Sequence, residues 1–239
     1  MRYLNNNKWF VLFCMMLLLN ACTHKSGYNR TAKSQKVYSY PAIYNSNRKA
    51  LNPTTIFNKY NQAVFMIYTT DGTNQFQGSG FFINNHGLAV SNYHVFKGTI
   101  IGYEGIKLMG DNNTIYKVSN VLYKEEDSDF IIFQVDCDNT RYIPIADKKP
   151  GVGTKVYAIG SPKGLENTFS SGEISQWRDD YLIQINVSID HGSSGGALIN
   201  EYGQVVGITS GTLDESSNAN LNYAWSIEAV KKHLNLKEE

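Results

Sequence analysis

Cysteine is scarce in this chain, with three in 239 residues. Cys14 lies inside an apolar N-terminal run and Cys22 just beyond it, so only Cys137 remains and an internal disulfide is excluded from the rest. Asp136 and Asp138 flank that thiol and disfavour its ionised form, so a structural role is expected rather than a nucleophilic one. The fold must therefore be held by its core. About 180 residues suffice for this, since a chain of that size buries roughly 70% of its unfolded surface. Long apolar runs are missing too: Trp9–Leu19 carries no charge but falls well short of the roughly 20 residues a membrane span needs. Between Thr23 and Tyr60 there are seven Lys or Arg and no acid, whereas from Asn61 onward thirteen basic residues face twenty-one acidic ones, a balance of −8. No stretch interleaves basic and aromatic residues as a nucleic-acid groove does, so no nucleic-acid partner is expected. Gly160–Gly164 lacks the Gly-Lys-Ser/Thr of a phosphate-binding loop and reads as a turn. Neither a cofactor nor a metal is expected.

What is present begins with an export signal. Arg2 and Lys8 precede the apolar run, which ends in Leu19-Asn20-Ala21-Cys22. This resembles a bacterial lipobox, in which Cys22 is diacylated and becomes the first mature residue; an uncleaved anchor and a simple signal peptide are the alternatives. Thr23 follows the cysteine rather than Asp, which for a cell with two membranes implies the outer one, facing the periplasm. Residues 23 to about 50 are rich in Ser, Asn, Lys and Tyr with no apolar period, a linker composition. Its basic charge suits an anionic bilayer surface and equally a solvated spacer.

From about Phe57 the texture changes to short apolar, β-branched and aromatic runs separated by turns. They are Ala63–Thr69, Gly80–Ile83, Gly87–Ser91, Thr99–Tyr103, Thr114–Leu122, Phe130–Val135, Lys155–Gly160, Phe169–Ser175, Tyr181–Val187, Ala197–Asn200, Gln204–Ser210 and Asn222–Trp225. Many short strands at close spacing predict an all-β barrel or sandwich. Ile227, Val230 and Leu234 share a face and predict one short helix at the C-terminal end. No strand is followed by a helix of crossover length, and no repeat is visible.

The strongest chemical signal is Asp190-His191-Gly192-Ser193-Ser194-Gly195-Gly196. Acyl transfer needs a nucleophilic hydroxyl beside backbone N–H groups that receive the developing oxyanion. Glycine at 192 permits a turn that aims its own N–H, with those of Ser193 and Ser194, at one spot; by itself the motif is also a glycine-rich turn. Such a serine needs a base. His24 sits in the linker, His86 in a hairpin turn, His191 too near in sequence, and His233 beside Lys231 and Lys232. His94 is left, where an apolar strand gives way to a short turn. For the orienting acid, Glu125-Glu126-Asp127-Ser128-Asp129 reads as mostly solvated loop, but Asp129 leads directly into Phe130–Phe133. Asp127 is the fallback.

These residues, in the order His, Asp, Ser, resemble the HtrA/Deg branch of the trypsin-like serine proteases. Gly78-Ser79-Gly80-Phe81 resembles that family's G-S-G-F, Ser91–Val95 its T-N-x-H-V, and Ser128–Ile132 its D-L-A-V-L strand. Ala158–Leu165 resembles A-I-G-N-P-x-G-L, Ser171–Ser175 resembles S-G-I-V-S, Gly192–Gly196 resembles G-N-S-G-G, and Gly203–Ile208 matches the strand that follows. The resemblance covers roughly residues 55 to 236. It implies two packed six-stranded antiparallel β-barrels with a short C-terminal helix, and divides the chain into a signal peptide (1–21), a lipidated flexible tether (22–54) and a protease domain (55–239). It departs at Asp190-His191, where the family has Asn-Pro, and at Ser193 in place of Asn, which puts the resting oxyanion loop in question. No PDZ domain is expected after the protease, so peptide-sensing regulation is not carried over.

The implied reaction is hydrolysis through an acyl-enzyme, with His94, Asp129 and Ser194 as the triad and an oxyanion hole in the loop Gly192, Ser193 and Ser194. The implied specificity pocket is lined by Ser188 and by Ile208-Thr209-Ser210. Ser188 is not acidic, which favours a small or medium aliphatic residue before the scissile bond over Lys or Arg. Substrates are then proteins or peptides of the bacterial envelope, and the membrane is reached through the lipid on Cys22. Self-association leaves no mark in the sequence. An α/β-hydrolase would satisfy G-x-S-x-G, but its nucleophile sits between a strand and a helix, and here strand-like Ala197–Asn200 follows. The alternative from another class is an inactive protease-fold lipoprotein serving as an envelope scaffold.

Overall fold

The computed structural model describes residues 49–100, 102–111, 114–161, 167–212 and 221–234. The signal peptide, Cys22 and nearly all of the tether lie outside the described residues. So do 162–166 of the A-I-G-N-P-x-G-L match and most of the loop after Gly211.

The first element is a helix that the strand pattern does not announce. In α1 (Pro53–Tyr60) the Asn52 side chain accepts from the Thr55 N–H at 2.8 Å and Pro53 opens the first turn, both favourable helix starts. Ile56 and Tyr60, one turn apart, bury the inner face, and a 3-10 turn at Asn61–Ala63 leads into the first strand. Phe57 packs edge-on against Phe169.

Among the described residues, twelve strands follow. β1 (Val64–Thr70), β2 (Gln75–Phe82), β3 (Leu88–Ser91), β4 (Gly105–Leu108), β5 (Val118–Glu125) and β6 (Phe130–Val135) form an antiparallel sheet of order β4-β1-β2-β3-β6-β5. One antiparallel bridge, Ile106 to Tyr116, joins its first edge to the segment entering β5. β7 (Lys155–Gly160), β8 (Thr168–Trp177), β9 (Leu182–Ile185), β10 (Ala197–Asn200), β11 (Val205–Thr212) and β12 (Asn222–Ser226) form a closed barrel of order β10-β11-β12-β9-β8-β7. The helix α2 (Ile227–Lys231) follows β12, with Ser226 as its cap. The two six-stranded antiparallel units and terminal helix expected above are present, the second as a closed barrel.

Alternation along the strands explains why they read as unbroken apolar runs. In β6, Ile131 and Phe133 point into the first sheet, while Phe130 and Ile132 join a second cluster between the two units. Phe82 and Phe81 divide in the same way, as do Val156 and Ala158 against Tyr157 and Ile159 in the barrel. Both faces are buried, so no polar residue marks a solvent side. The shared cluster also takes Ile56 and Tyr60 of α1 and Ile227 and Val230 of α2. None of the described residues of the predicted strand at Thr99–Tyr103 is in a strand. Gly98 and Gly102, at φ +76° and +94°, turn the chain there, and pairing resumes at Gly105.

Candidate active site

Each candidate catalytic side chain stands where an element ends. β3 is buried throughout; Asn92 remains extended, and a 3-10 turn at Tyr93–Val95 follows. Val95 and Phe96 turn inward to the core, while His94 just before them faces out, its side chain 47% exposed. The hairpin from β5 to β6 closes with Asp129 N–H donating to Glu126 O, and puts Asp129 at φ +41°. That left-handed backbone is uncommon outside glycine, though Asp tolerates it better than most, and such strain collects at functional sites. Asp129 Oδ2 lies 2.7 Å from His94 Nδ1, and Asp129 Oδ1 accepts the His94 backbone N–H at 2.8 Å. Asn92 Nδ2 donates to the Asp129 carbonyl at 2.9 Å. Asp127, the other candidate acid, is exposed in the turn.

A third donor to the carboxylate comes from the barrel: Ser210 Oγ donates to Asp129 Oδ2 at 3.2 Å. The pairing of β11 with β12 shifts register between Thr209 and Gly211, and the irregularity falls on Ser210. Such bulges re-aim a side chain. The next residue, Gly211, faces Ser194, since a Cβ built on it would lie 3.9 Å from Ser194 Oγ. Consecutive residues of one strand thus border the acid and the candidate nucleophile. Exposed ties join the His94 turn to the Asp129 turn as well, an ion pair between Lys97 and Glu126 and the Lys124 ammonium 5.5 Å from the Tyr93 ring. Such exposed pairs are screened by solvent and contribute little. The hydrogen bond to Glu126 holds the Lys97 ammonium above its usual range.

The loop before β10 is set by two glycines. Ser193 N–H donates to Asp190 O at 3.0 Å across a turn whose third residue, Gly192, has φ +92°. That is the pattern of a type II turn, which requires positive φ at this position. Gly195, at φ +88°, passes so close to β2 that a Cβ there would meet Ser79 O at 2.1 Å and Ser91 Oγ at 2.3 Å. Ser193 O accepts from Gly196 N–H at 2.9 Å and from the Thr209 hydroxyl at 2.8 Å. Among the described residues no group accepts the N–H of Gly192 or of Ser194, so both remain available to a ligand. The Ser194 hydroxyl makes no hydrogen bond to the His94 ring in this resting geometry. Catalytic hydrogen bonds are often long before substrate binds.

Several expectations are thereby altered. The Ser193 N–H is spent on Asp190, which leaves Gly192 and Ser194 as the available pair of donors. Ile208 is wholly buried in the shared core, and Thr209, 1% exposed, braces the loop; neither presents a pocket wall. Ser210 is committed to Asp129. Of the four expected pocket residues Ser188 is exposed and Ser210 half-buried, and the Ser188 carbonyl accepts from Ser170 Oγ. Burial first, then Asp138 and Asp136, push the Cys137 thiol up to about 12, so it is no nucleophile. Among the described residues no cluster of His, Cys, Asp and Glu could hold a metal ion.

A histidine tied to a carboxylate, a serine on a glycine loop with two available N–H groups, and two six-stranded antiparallel units, one of them a closed barrel, define the trypsin-like class. The family model of the trypsin-like peptidase domain matches residues 78–208, more than half of the chain, and the chain belongs to that family. Within it the chain is similar to proteases of the HtrA type. It is 33% identical over 164 residues to a probable periplasmic serine endoprotease DegP-like of Rhizobium meliloti, a match covering 64% of this chain and 31% of that one. It is 31% identical over 186 residues to serine protease HTRA1A of Danio rerio, covering 71% of this chain and 36% of the relative. The chain thus spans about a third of the length of these curated relatives. Among solved structures it resembles the serine endoprotease from Yersinia pestis, with a TM-score of 0.67, 25% identity and coverage of 77% of this chain and 65% of that one.

Proposed function

We propose that this protein is a serine endopeptidase acting on proteins of the bacterial envelope, with Ser194 as nucleophile, His94 as general base and Asp129 as its orienting acid. The observation that carries this reading is the 2.7 Å contact between His94 Nδ1 and Asp129 Oδ2 beside a serine loop whose Gly192 and Ser194 N–H groups are unspent. A carboxylate only accepts hydrogen bonds, so Nδ1 carries the proton and Nε2 keeps its lone pair for the serine. Substrate draws Ser194 Oγ onto His94 Nε2. Oγ attacks the scissile carbonyl carbon as its proton passes to Nε2, and the carbonyl oxygen becomes an oxyanion received by the N–H groups of Gly192 and Ser194. His94 then gives the proton to the departing amine, which leaves an acyl-enzyme. Water, deprotonated by His94, repeats the cycle and frees Ser194. Each oxyanion donor is worth about 3–4 kcal/mol where such groups have been removed from other enzymes.

The sequence also supports export and attachment by a lipid on Cys22, facing the periplasm, where the Rhizobium relative is described as residing. The exposed Ser188, without charge, suits small or medium aliphatic side chains before the cleaved bond. The test is fluorophosphonate labelling of the purified full chain beside Ser194→Ala, followed by digestion of a peptide library. Labelling that maps to Ser194 and vanishes in the variant, with peptide turnover reduced at least about 10³-fold, supports the peptidase. Equal labelling of both proteins, or none in folded wild type, would favour the scaffold reading.

A further inference from the structure

Ser79 stands in β2 on the side facing the barrel, wholly buried, and every polar atom it carries is engaged. Its N–H donates to Ser194 O at 2.8 Å, and its carbonyl accepts from Ser91 Oγ at 2.7 Å. Its hydroxyl accepts from the Ser161 N–H at 2.9 Å and donates to Gly192 O at 2.7 Å. A serine hydroxyl has one proton. With Ser161 supplying a donor from the barrel, that proton is directed to the Gly192 carbonyl.

We propose that Ser79 is a positioning residue for the oxyanion loop, holding the peptide unit that separates its two available N–H groups. The proposal rests on the peptidase reading of the same site. The Gly192–Ser193 peptide is fixed at both ends, its carbonyl by Ser79 Oγ and its N–H by Asp190 O. The next carbonyl, of Ser193, is fixed by Thr209 and Gly196. The N–H of Gly192 lies before this tied stretch and that of Ser194 at its end, so their joint aim follows from it. Glycine at 192 has other backbone states open at little cost, and the turn therefore depends on outside ties. Thr209 supplies one from within the barrel. Ser79 supplies the other from the sheet that carries His94 and Asp129, and so registers the two halves of the site against each other.

The comparison is Ser79→Ala against Ser91→Ala. Both remove one buried serine hydroxyl, but Ser91 bonds to the Ser79 carbonyl and does not touch the Gly192 peptide. The loss of one such tie predicts a fall in kcat of about 10- to 30-fold for Ser79→Ala, with KM within about twofold. Ser91→Ala keeps kcat within about threefold. Ser79→Thr and Ser79→Val form a second pair that shares an added methyl and differs in the hydroxyl, so a common loss of folding stability cancels. Thr should exceed Val in kcat by about tenfold. Amide hydrogen exchange at Ser193, read by NMR, needs no turnover; it should quicken in Ser79→Ala and Ser79→Val and not in Ser91→Ala. Equal kcat losses in Ser79→Ala and Ser91→Ala, or unchanged exchange at Ser193, would overturn the proposal. A wild type that fails to label while Ser193 exchange responds as expected would count against the peptidase reading and leave the Ser79 tie standing.

Discussion

At the residue scale the acid is the most heavily held group of the site. Asp129 takes the His94 ring, the His94 backbone and the Ser210 hydroxyl, while its own carbonyl is tied by Asn92. These contacts do different things. The Nδ1 bond selects the imidazole tautomer, whereas the Ser210 bond only steadies the carboxylate that selects it. Ser210→Ala should therefore lower kcat by about three- to tenfold with little change in KM, the worth of one hydrogen bond. Asp129→Asn keeps the shape and reverses the tautomer preference, and should cost about 10⁴-fold in kcat, as in the chymotrypsin-type template. Steady-state kinetics on one peptide substrate checks both, and a Ser210→Ala loss as large as that of Asp129→Asn would refute the division of roles. Chemistry of this kind was partly legible in the sequence. Ser, His and Asp announce themselves by type and by their places at strand ends. Ser210 does not, because a bulge in the β11–β12 pairing, rather than its neighbours in sequence, aims it at Asp129. Ser79 lies in the quoted G-S-G-F stretch, but only the fold brings it against residues more than a hundred positions away.

Among the elements, strands whose two faces are both buried were the easiest to read, and β6, β7 and β10 fall where their apolar runs do. β4 was displaced because Thr99–Tyr103 is β-branched and aromatic by composition yet is bent by glycines at positive φ. α1 went unread because only Ile56, Phe57 and Tyr60 in its eight residues are apolar, too few for a helical period to stand out; its Asn-Pro start was the available signal. Its contribution is nevertheless to the core. Ile56 is wholly buried in the cluster between the two units, and Tyr60 lies under the turn at Gly203, where a Cβ would come within 2.5 Å of its hydroxyl. Ile56→Ala should therefore destabilise the domain by about 2–5 kcal/mol, the range for large-to-small changes in packed cores. Urea unfolding measures it. A loss below about 1 kcal/mol would mean that α1 is dispensable to the protease fold.

Taken as a whole molecule, the protein divides its tasks along the chain. All of the proposed triad and both proposed oxyanion donors lie within residues 49–234, whereas the apolar run, Cys22 and the acid-free basic stretch precede them. Two of the membrane attachments open to such an arrangement respond oppositely to salt. A basic segment alone binds anionic lipid by about 1 kcal/mol for each Lys or Arg near the surface, an attraction that fades within a Debye length, only about 3 Å at 1 M salt. An acyl chain adds about 0.8 kcal/mol for each buried CH₂, which salt does not screen. With the lipid on Cys22, wild type should stay in the membrane fraction through a 1 M salt wash and leave it only with detergent. Cys22→Ala should abolish the lipid and lose salt-resistant attachment, while peptide turnover by the detergent-purified proteins stays equal within about twofold, because the site lies wholly in the later part of the chain. Fractionation followed by mass spectrometry of the N-terminal peptide reads this directly. Release of wild type by salt would leave the membrane contact to the basic stretch, and salt-resistant attachment with an unmodified Cys22 would assign it to the uncleaved apolar run; either outcome removes the lipid from the account.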